Sequence, residues 1–396
     1  MQETPLQIEL SEKVLESVHT KQPVEGLTHT FYKYPARFSH RFPRSIIEDF
    51  SDESDVVFDP FMGSGTTLVE AMVCGRDAIG SDINSLAHFV ATVKTTLLGE
   101  NDQKAIEDWL RKTLPKLNVD RPPERPSWWV ENGYQKDLPS SIRKILEFIL
   151  SDLESLQTHK QKKIIRCAAL SAGKWALDCT QDFPSVEEFK DEFEETVHDF
   201  FLGFEQLRQN LEKRGRIPEI VCLNEDAVDL SPDKWQHRIE KRPSLVVTSP
   251  PYPGVHVLYH RWQIQGRRET PAPYWIAGSP DGHGGSYYTM GGRSKTGLEK
   301  YFKKLTKIYR QLHSILEDGA LVFQLVAFSD IEKQTTQFLS SMRNAGFYEV
   351  KIEAEEEGPE IENRLWRQVP SRRWYASLQG KTSSSREFLI VHRKAN

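Results

Sequence analysis

Cysteine, long apolar runs and excess positive charge are all scarce in this sequence. The chain has four cysteines among 396 residues and no CxxC spacing, which argues against a disulfide framework or a zinc site. His256, His260 and His283 share no ligand pattern with a carboxylate or cysteine, so no metal is expected. The thiols are instead expected to be buried, and they belong to Cys74, Cys167, Cys179 and Cys222.

The lack of apolar runs and of positive charge restricts the location and the partners. No run is long enough to cross a membrane and no signal peptide opens the sequence, so we expect a cytoplasmic protein. Lys and Arg number 52 against 57 Asp and Glu, so only local basic surfaces would attract a polyanion. Candidates for phosphate contacts, with solvated surface as the alternative, are Arg261, Arg267, Arg268, Arg293, Arg364, Arg367, Arg372 and Arg373.

Two common nucleotide-binding loops are also absent, but a related pattern is present. Residues 55–58 predict a strand, and DPFMGSGTT at 59–67 predicts a glycine-rich turn that leads into a helix. The turn lacks the lysine of a P-loop, and Leu68 stands where a third glycine would complete Gly-x-Gly-x-x-Gly. A second strand ends at Asp82, roughly twenty residues further on, the spacing of a ribose partner. Tight turning alone would explain the glycines, but the turn and Asp82 together favour a nucleoside-type cofactor.

The run VVTSPPYP at 246–253 predicts a buried strand that ends abruptly. Its β-branched residues favour a strand, and consecutive prolines cannot continue a sheet ladder. The prolines therefore hold the Ser249 hydroxyl, the Pro250 carbonyl and the Tyr252 ring beyond the strand end. Ligands of open α/β sheets bind at the carboxyl ends of strands. Two acceptors beside a flat ring suit a planar group that carries an exocyclic NH2.

Seven strands and one helical block organise the chain. The strands are predicted at 55–58, 77–82, 217–223, 245–248, 320–327, 348–354 and 387–392. The stretch from 100 to 215 has helical periodicity, with helices at 142–156, 162–176 and 186–214, and is too long for a loop. We therefore divide the chain into residues 1–99, the first part of a core with the cofactor-binding motifs; 100–215, an inserted helical subdomain; and 216–396, the rest of the core with the catalytic motif and a long loop at 253–296.

These motifs resemble those of the amino-group DNA methyltransferases, which use S-adenosylmethionine to make N4-methylcytosine or N6-methyladenine. DPFMGSGTT is similar to motif I of that family, SPPY at 249–252 to motif IV, and KYPAR at 33–37 to motif X. The motif order resembles the α-type arrangement, except that the helical block precedes the third strand. The resemblance implies an α/β, Rossmann-like class I methyltransferase fold, with a mixed, mostly parallel seven-stranded sheet. Target recognition would then lie in 100–215, in 253–296, or in both.

The resemblance also implies a role for each matching residue. The catalytic motif would consist of Ser249, Pro250, Pro251 and Tyr252. Asp82 would bind the ribose hydroxyls, and Asp226 would lie near the adenine amino group. The remainder of the cofactor pocket would be formed by Lys33, Tyr34, Pro35, Ala36, Asp59, Pro60, Phe61, Gly63, Gly65 and Thr66.

The chemistry of such a reaction fits the strand end at Ser249. An exocyclic amine conjugated to its ring is a poor nucleophile, and two acceptors that hold its hydrogens would free its lone pair. Much of the rate gain would come from positioning and preorganised dipoles. A base in a duplex would have to flip out, and Tyr252 offers a stacking face unless it is a packed core aromatic. No Pro-Cys pair follows this strand, so a covalent cysteine adduct is not expected.

The leading hypothesis is a site-specific DNA (cytosine-N4) methyltransferase that acts on double-stranded DNA. By resemblance, a serine in the first position of motif IV favours cytosine, and a cognate restriction endonuclease would act on the same site. The alternatives are an adenine-N6 DNA methyltransferase, an RNA amino-methyltransferase and a catalytically idle nucleic-acid-binding module. Because the sequence contains every group that the chemistry needs, idleness is disfavoured.

The stacking role of Tyr252 can be tested by its substitution. Tyr252→Ala removes the ring but leaves the glycine-rich turn intact, so we expect turnover to collapse while cofactor binding is largely retained. Steady-state kinetics and a cofactor-binding titration measure the two quantities. Unchanged turnover would refute the stacking role.

Overall fold

The computed structural model describes residues 7–20, 22, 24–34, 38–117, 119, 127–253, 261–265, 268–281, 288–353, 364–368 and 386–395. The strands in these ranges are β1 (Gln7–Glu9), β2 (Val56–Asp59), β3 (Asp77–Ser81), β4 (Ile220–Leu223), β5 (Leu245–Thr248), β6 (Trp262–Ile264), β7 (Arg268–Thr270), β8 (Leu321–Val326), β9 (Phe347–Glu353), β10 (Trp366–Gln368) and β11 (Arg386–Lys394). The helices are α1 (Glu12–His19), α2 (Arg41–Phe50), α3 (Thr66–Val73), α4 (Ser85–Lys94), α5 (Glu100–Thr113), α6 (Trp128–Glu131), α7 (Ser140–Asp152), α8 (His159–Leu177), α9 (Val186–Arg214), α10 (Ala272–Ala277), α11 (Lys295–Ile315) and α12 (Ile331–Asn344).

One mixed sheet forms the centre of the fold, in the order β1-β9-β11-β8-β5-β2-β3-β4. Strand β11 runs antiparallel to both of its neighbours, β8 and β9, and the other pairs along this order are parallel. All seven predicted strands are present in one mixed, mostly parallel sheet, which confirms the predicted α/β fold class. The short strands β1 and β10, which were not predicted, extend the sheet to nine strands.

The order of the strands places a ligand-binding crevice between β2 and β5. The chain winds outward from β2 through β3 to β4 and then returns to β5 and β8 on the other side. Strand order therefore reverses between β2 and β5, and ligands of open α/β sheets bind at the carboxyl ends of the strands at such a switch point. The glycine-rich turn follows β2 and the SPPY motif follows β5, so both motifs lie at this crevice.

Two hydrophobic cores cover the two faces of the sheet. Strands β2 and β5 are buried at every position, as expected of parallel strands that are covered on both faces. Alternate residues point to opposite faces, so Val57 joins the core under α1, α2 and α3 while Phe58 joins the core under α11 and α12. Burial on both faces fixes the register of these strands, and with it the positions of the turns that follow them.

A third core joins the helices between residues 100 and 215 to other parts of the chain. It combines buried residues of α5, α7, α8 and α9 with α4 and with Phe31, whose ring stacks on Phe200 at 4.0 Å between centroids. The same core contains Trp262, which packs so closely on α8 that a Cβ on Gly173 would lie 2.7 Å from its ring. The division of the chain into three segments remains a prediction.

The prediction of a long loop at 253–296 is wrong in part. The structure forms the β6–β7 hairpin and helix α10 within that range. Three-residue strands and a six-residue helix are too short to produce a periodicity signal, which is why no pattern in the sequence indicates them. Residues 254–260, 266–267 and 282–287 of the range lie outside the described residues.

The cysteines also depart from expectation. Cys74 and Cys167 are buried, but Cys222 is half-buried and Cys179 is exposed, because it lies in the turn after α8. In the part of the chain that the structure describes, no His, Cys, Asp and Glu side chains cluster closely enough to hold a metal ion. Within the same ranges, no helix has the length and apolar character needed to cross a bilayer.

Gly65, the residue that precedes α3, lies close to Ala91 of α4. Gly65 has φ +79°, and a Cβ there would lie 2.9 Å from the Cβ of Ala91 and 3.2 Å from its Cα. Gly75, at the other end of α3, has φ +82° but no atom within 4 Å of its would-be Cβ. The two glycines share the left-handed backbone and differ in the space around them.

Substitution of Gly65 and of Gly75 measures how much the close contact between Gly65 and Ala91 contributes to stability. Gly75→Ala should cost about 1–2 kcal/mol through its left-handed backbone alone, whereas Gly65→Ala should cost roughly 2–5 kcal/mol because the clash with Ala91 adds to the same penalty. The free energies of unfolding in urea provide the comparison. Equal losses for the two variants would show that the α3–α4 contact contributes nothing.

Candidate active site

A buried carboxylate connects the ends of β2 and β5. Asp59, the last residue of β2, is 1% exposed, and its Oδ1 accepts hydrogen bonds from Thr248 Oγ1 at 2.7 Å and from the Phe61 amide at 3.1 Å. Thr248 immediately precedes Ser249. The structure therefore brings the glycine-rich turn and the SPPY motif together.

The turn after β2 also contacts the end of β3 and the segment at Tyr34. The Gly63 amide donates to Asp82 Oδ2 at 2.9 Å, and the Asn84 amide donates to Asp82 Oδ1 at 2.8 Å. Gly63 has φ +50°, and the Tyr34 ring lies 4.0 Å from where its Cβ would be. Three predicted cofactor residues from separate segments, Tyr34, Gly63 and Asp82, therefore lie close together at the glycine-rich turn.

Asn84 holds this arrangement together, although the sequence analysis did not single it out. It caps α4 by accepting from the Leu86 amide at 2.9 Å, and its Nδ2 donates to the Tyr34 hydroxyl at 3.2 Å. The Tyr274 hydroxyl donates to Asn84 Oδ1, also at 3.2 Å. An Asn at a helix start is a recognisable cap. Its contact with Tyr274, 190 residues away, has no signal in the sequence.

The groups at the turn fit a nucleoside cofactor. The Ser64 hydroxyl is buried, and among the described residues it has no hydrogen-bond partner, so a polar group is available inside the turn. Each oxygen of Asp82 accepts one backbone amide and retains a lone pair, which a ribose hydroxyl can use. Of the neighbouring predicted residues, Pro60, Gly65 and Thr66 are buried and Phe61 is half-buried.

The other predicted cofactor residues lie further from the turn or outside the description. Lys33 is exposed, and Pro35 and Ala36 are outside the described residues. Asp226 follows β4, and its Oδ2 accepts from Lys304 Nζ of α11 at 2.7 Å. The end of β4 stays close to the end of β3, because Ser81 Oγ donates to the Glu225 carbonyl at 2.9 Å. An adenine role for Asp226 remains a prediction.

The SPPY motif is held by three surrounding elements. Ser249 Oγ lies 2.9 Å from the Leu325 carbonyl of β8 and 3.1 Å from the Tyr252 hydroxyl. The Tyr252 hydroxyl donates to Glu387 Oε1 of β11 at 2.7 Å, and the Tyr301 hydroxyl of α11 donates to the Pro251 carbonyl at 2.7 Å. The half-buried Ser249 and Tyr252 therefore have fixed positions at the strand end, and Pro250 between them is buried.

Glu387 was not predicted as a site residue, and its partner was predicted for another role. Arg367 Nε of β10 donates to Glu387 Oε2 at 2.7 Å, Arg367 Nη2 lies 2.6 Å from the same oxygen, and both side chains are almost fully buried. Arg364 forms a similar two-bond pair with Glu349. Arg364 and Arg367, two of the candidates for phosphate contacts, are therefore each paired with a strand carboxylate, Glu349 of β9 and Glu387 of β11 respectively, and sequence spacing does not reveal these partners.

Burial changes the titration of both aspartates at the turn. Desolvation raises the pKa of Asp59 to about 6, and hydrogen bonds from Thr248, Thr67 and Phe61 only partly offset it. Desolvation likewise raises the pKa of Asp82 to about 6, against the opposing effect of the Asn84 and Gly63 amides. At neutral pH both groups are mostly ionised and act as acceptors only.

Comparison with known sequences finds similarity to DNA methyltransferases. The profile of the DNA methylase family matches residues 9–92. The type II methyltransferase M.MvaI of Kocuria varians is 26% identical over 255 residues, which is 57% of this chain and 53% of that protein. The orphan methyltransferase M.BamHII of Bacillus amyloliquefaciens is 43% identical over 66 residues, 17% of this chain and 24% of that protein. The chain thus spans about half the length of M.MvaI and less of M.BamHII.

Among solved structures, an rRNA methyltransferase, aviRa of Streptomyces viridochromogenes, superimposes with a TM-score of 0.34 and 13% identity. The superposition covers 96% of this chain and 90% of that one. A similarity this weak bears on neither substrate nor mechanism.

The raised pKa of Asp59 predicts a dependence of stability on pH. Because the pKa is about 6 in the folded protein against 3.8 for a solvated aspartate, the protonated form favours folding. This contribution is complete below about pH 4 and is lost as the pH rises through 6. An asparagine at position 59 does not titrate. The free energy of unfolding of the wild type minus that of Asp59→Asn should therefore fall by up to about 3 kcal/mol between pH 4 and pH 7.

Denaturant unfolding of the two proteins at a series of pH values measures this difference. Asp229→Asn, at an exposed position, controls for the substitution itself. A difference between wild type and Asp59→Asn that stays constant over the range would contradict the prediction.

Proposed function

We propose that this chain is an amino-group DNA methyltransferase, which transfers a methyl group from S-adenosylmethionine to the exocyclic amine of a base in DNA. The observation that carries the proposal is the position of Ser249 and Tyr252 relative to the glycine-rich turn. The Asp59–Thr248 hydrogen bond ties these two sites together at the switch point of the sheet. A nucleoside cofactor and a planar amine would therefore meet in one crevice.

The turn supplies the groups that would hold the cofactor. Tyr34 and Gly63 would flank it, Asp82 would accept its ribose hydroxyls, and the buried Ser64 hydroxyl would give it a further polar contact. When bound, S-adenosylmethionine supplies an electrophilic methyl group on its sulfonium. Because two backbone amides already fix the Asp82 carboxylate, this acceptor needs no reorganisation on binding.

Ser249 and Pro250 would hold the amine that receives the methyl group. The Leu325 carbonyl lies within reach of the Ser249 proton, so a lone pair of Ser249 Oγ can accept one amine hydrogen. The Pro250 carbonyl is the second acceptor. With both hydrogens held, the nitrogen lone pair is less delocalised into the ring and points away from the two acceptors. Positioning and fixed dipoles then account for much of the rate gain.

Access to the amine in a duplex requires that the base leave the stack. The half-buried Tyr252 ring, anchored through its hydroxyl to Glu387, is a rigid face on which such a base can stack. The rigid attachment lowers the entropy lost on binding. The residues that would read the DNA sequence are 100–215, 253–296, or both, since these segments lie outside the glycine-rich turn and the SPPY motif.

Cytosine N4 is the proposed target atom. The basis is the family resemblance, in which a serine rather than an acidic or amide residue precedes Pro-Pro-Tyr. A neutral hydroxyl offers an acceptor without adding charge beside the base. M.MvaI is named a type II methyltransferase and M.BamHII an orphan, so a restriction endonuclease partner for this chain stays a prediction.

Incubation with labelled S-adenosylmethionine and duplex DNA, followed by analysis of the nucleosides, tests the proposal. We expect label in N4-methylcytosine. Ser249→Ala should lower turnover about 10- to 100-fold, because the amine loses one acceptor, while cofactor affinity is unchanged. Ser244→Ala is the matched control: Ser244 immediately precedes β5, and within the described residues its buried hydroxyl has no hydrogen-bond partner.

Any other result of the labelling experiment would support one of the alternative functions. Label in N6-methyladenine would overturn the choice of base, and label only in RNA would overturn the choice of DNA. Cofactor binding without any transfer would indicate an idle nucleic-acid-binding module.

A further inference from the structure

A chain of hydrogen bonds leads from a buried ion pair to the catalytic serine. Arg367 donates from Nε to Glu387 and forms an ion pair with it, Glu387 accepts from the Tyr252 hydroxyl, and that hydroxyl lies 3.1 Å from Ser249 Oγ. Arg367 and Glu387 are directly opposite each other on β10 and β11, which fixes their geometry. No residue of this ion pair belongs to a sequence motif.

The direction of each hydrogen bond in this series follows from which of the groups carries a proton. Arg367 supplies donors only, so Glu387 is held as a carboxylate that accepts only. Tyr252 has one hydroxyl proton, and at 2.7 Å from Glu387 Oε1 it is donated to that carboxylate. Ser249 therefore receives no proton from Tyr252, and its own proton goes to the Leu325 carbonyl or to the Tyr252 oxygen. An acceptor site remains on Ser249 in either case.

We propose that Glu387 is a positioning residue that keeps Ser249 a hydrogen-bond acceptor for the substrate amine. It does so by drawing the Tyr252 proton away from Ser249. The inference rests on the proposed function, because an acceptor at Ser249 matters only if an amine is bound there.

Replacing the Glu387 carboxylate with an amide should reverse the direction of the hydrogen bonds between residue 387, Tyr252 and Ser249. In Glu387→Gln, the two donors of Arg367 attract the amide oxygen, which turns the amide NH2 toward Tyr252. The Tyr252 oxygen then accepts, and its proton turns to Ser249. Ser249 would then accept from Tyr252 in competition with the amine. A substitution of nearly unchanged size would thus occupy one of the two lone pairs of Ser249 Oγ without changing Ser249 itself.

Steady-state kinetics of Glu387→Gln with duplex DNA and S-adenosylmethionine tests the proposal. We expect kcat to fall about 10- to 100-fold, with KM for the cofactor unchanged, since the glycine-rich turn is not affected. Glu349→Gln is the matched control, because it breaks the similar pair with Arg364 and has no described hydrogen bond to the SPPY motif. Near-normal kcat in Glu387→Gln, or an equal loss in Glu349→Gln, would overturn the proposal.

The same substitution in a Tyr252→Phe background separates this role from a merely structural one. Without the Tyr252 hydroxyl there is no proton to redirect, so Tyr252→Phe/Glu387→Gln should match Tyr252→Phe within about twofold. A further large loss in the double variant would show that Glu387 acts through the fold, and would overturn the proposal.

A second variant keeps the test valid if Glu387→Gln does not fold. In Arg367→Met/Glu387→Gln the buried charges are both removed, and the amide is free to turn its oxygen to Tyr252. Turnover of this protein should stay within about tenfold of the wild type, and a folded but inactive protein would refute the proposal. Absence of methyl transfer by the wild type would contradict the proposed function, whereas a normal wild type with an unaffected Glu387→Gln would contradict this inference alone.

Discussion

The hydrogen bond between Thr248 and Asp59 is the constraint on which the site depends. It joins the last residues of β2 and β5, which are 189 positions apart in the chain and neighbours in the sheet. Because both groups are almost fully inaccessible to solvent, a missing partner would leave a buried polar group unsatisfied. The two strands therefore end in register, and the turns that follow them face one crevice. The proposed cofactor and base sites, which lie on separate segments, would gain a fixed relative position from this single contact.

The carboxylates marked by the sequence as ligand contacts are first of all acceptors for the protein itself. Asp59 accepts from Phe61 and Thr248, and Asp82 accepts from Gly63 and Asn84. These bonds hold the glycine-rich turn in its conformation before any ligand arrives. A site prepared in this way loses little entropy on binding and keeps its dipoles oriented during the reaction. Structural and ligand-binding roles of the same carboxylate therefore support each other.

The sequence predicted the core strands and the motifs well, because those signals are local. Consecutive β-branched residues, paired glycines and consecutive prolines each dictate backbone geometry within a few positions. The Glu387–Tyr252 contact spans 135 positions, and neither residue type indicates the other. The β6–β7 hairpin was missed because its strands have three residues each, and the partner of Arg367 was not predicted because it lies on another strand. Long-range pairings and very short elements are set by the packed fold, which single-sequence patterns do not encode.

The helical block between α4 and β4 is physically connected to the glycine-rich turn. Phe31 stacks on Phe200 of α9, and the Trp262 indole donates to the Tyr32 hydroxyl at 3.1 Å, so the segment before Tyr34 is embedded in the core of the block. Tyr34 in turn covers Gly63. Close-packed cores transmit displacement rather than absorb it. The packing of α9 therefore supports the position of Tyr34 over the glycine-rich turn.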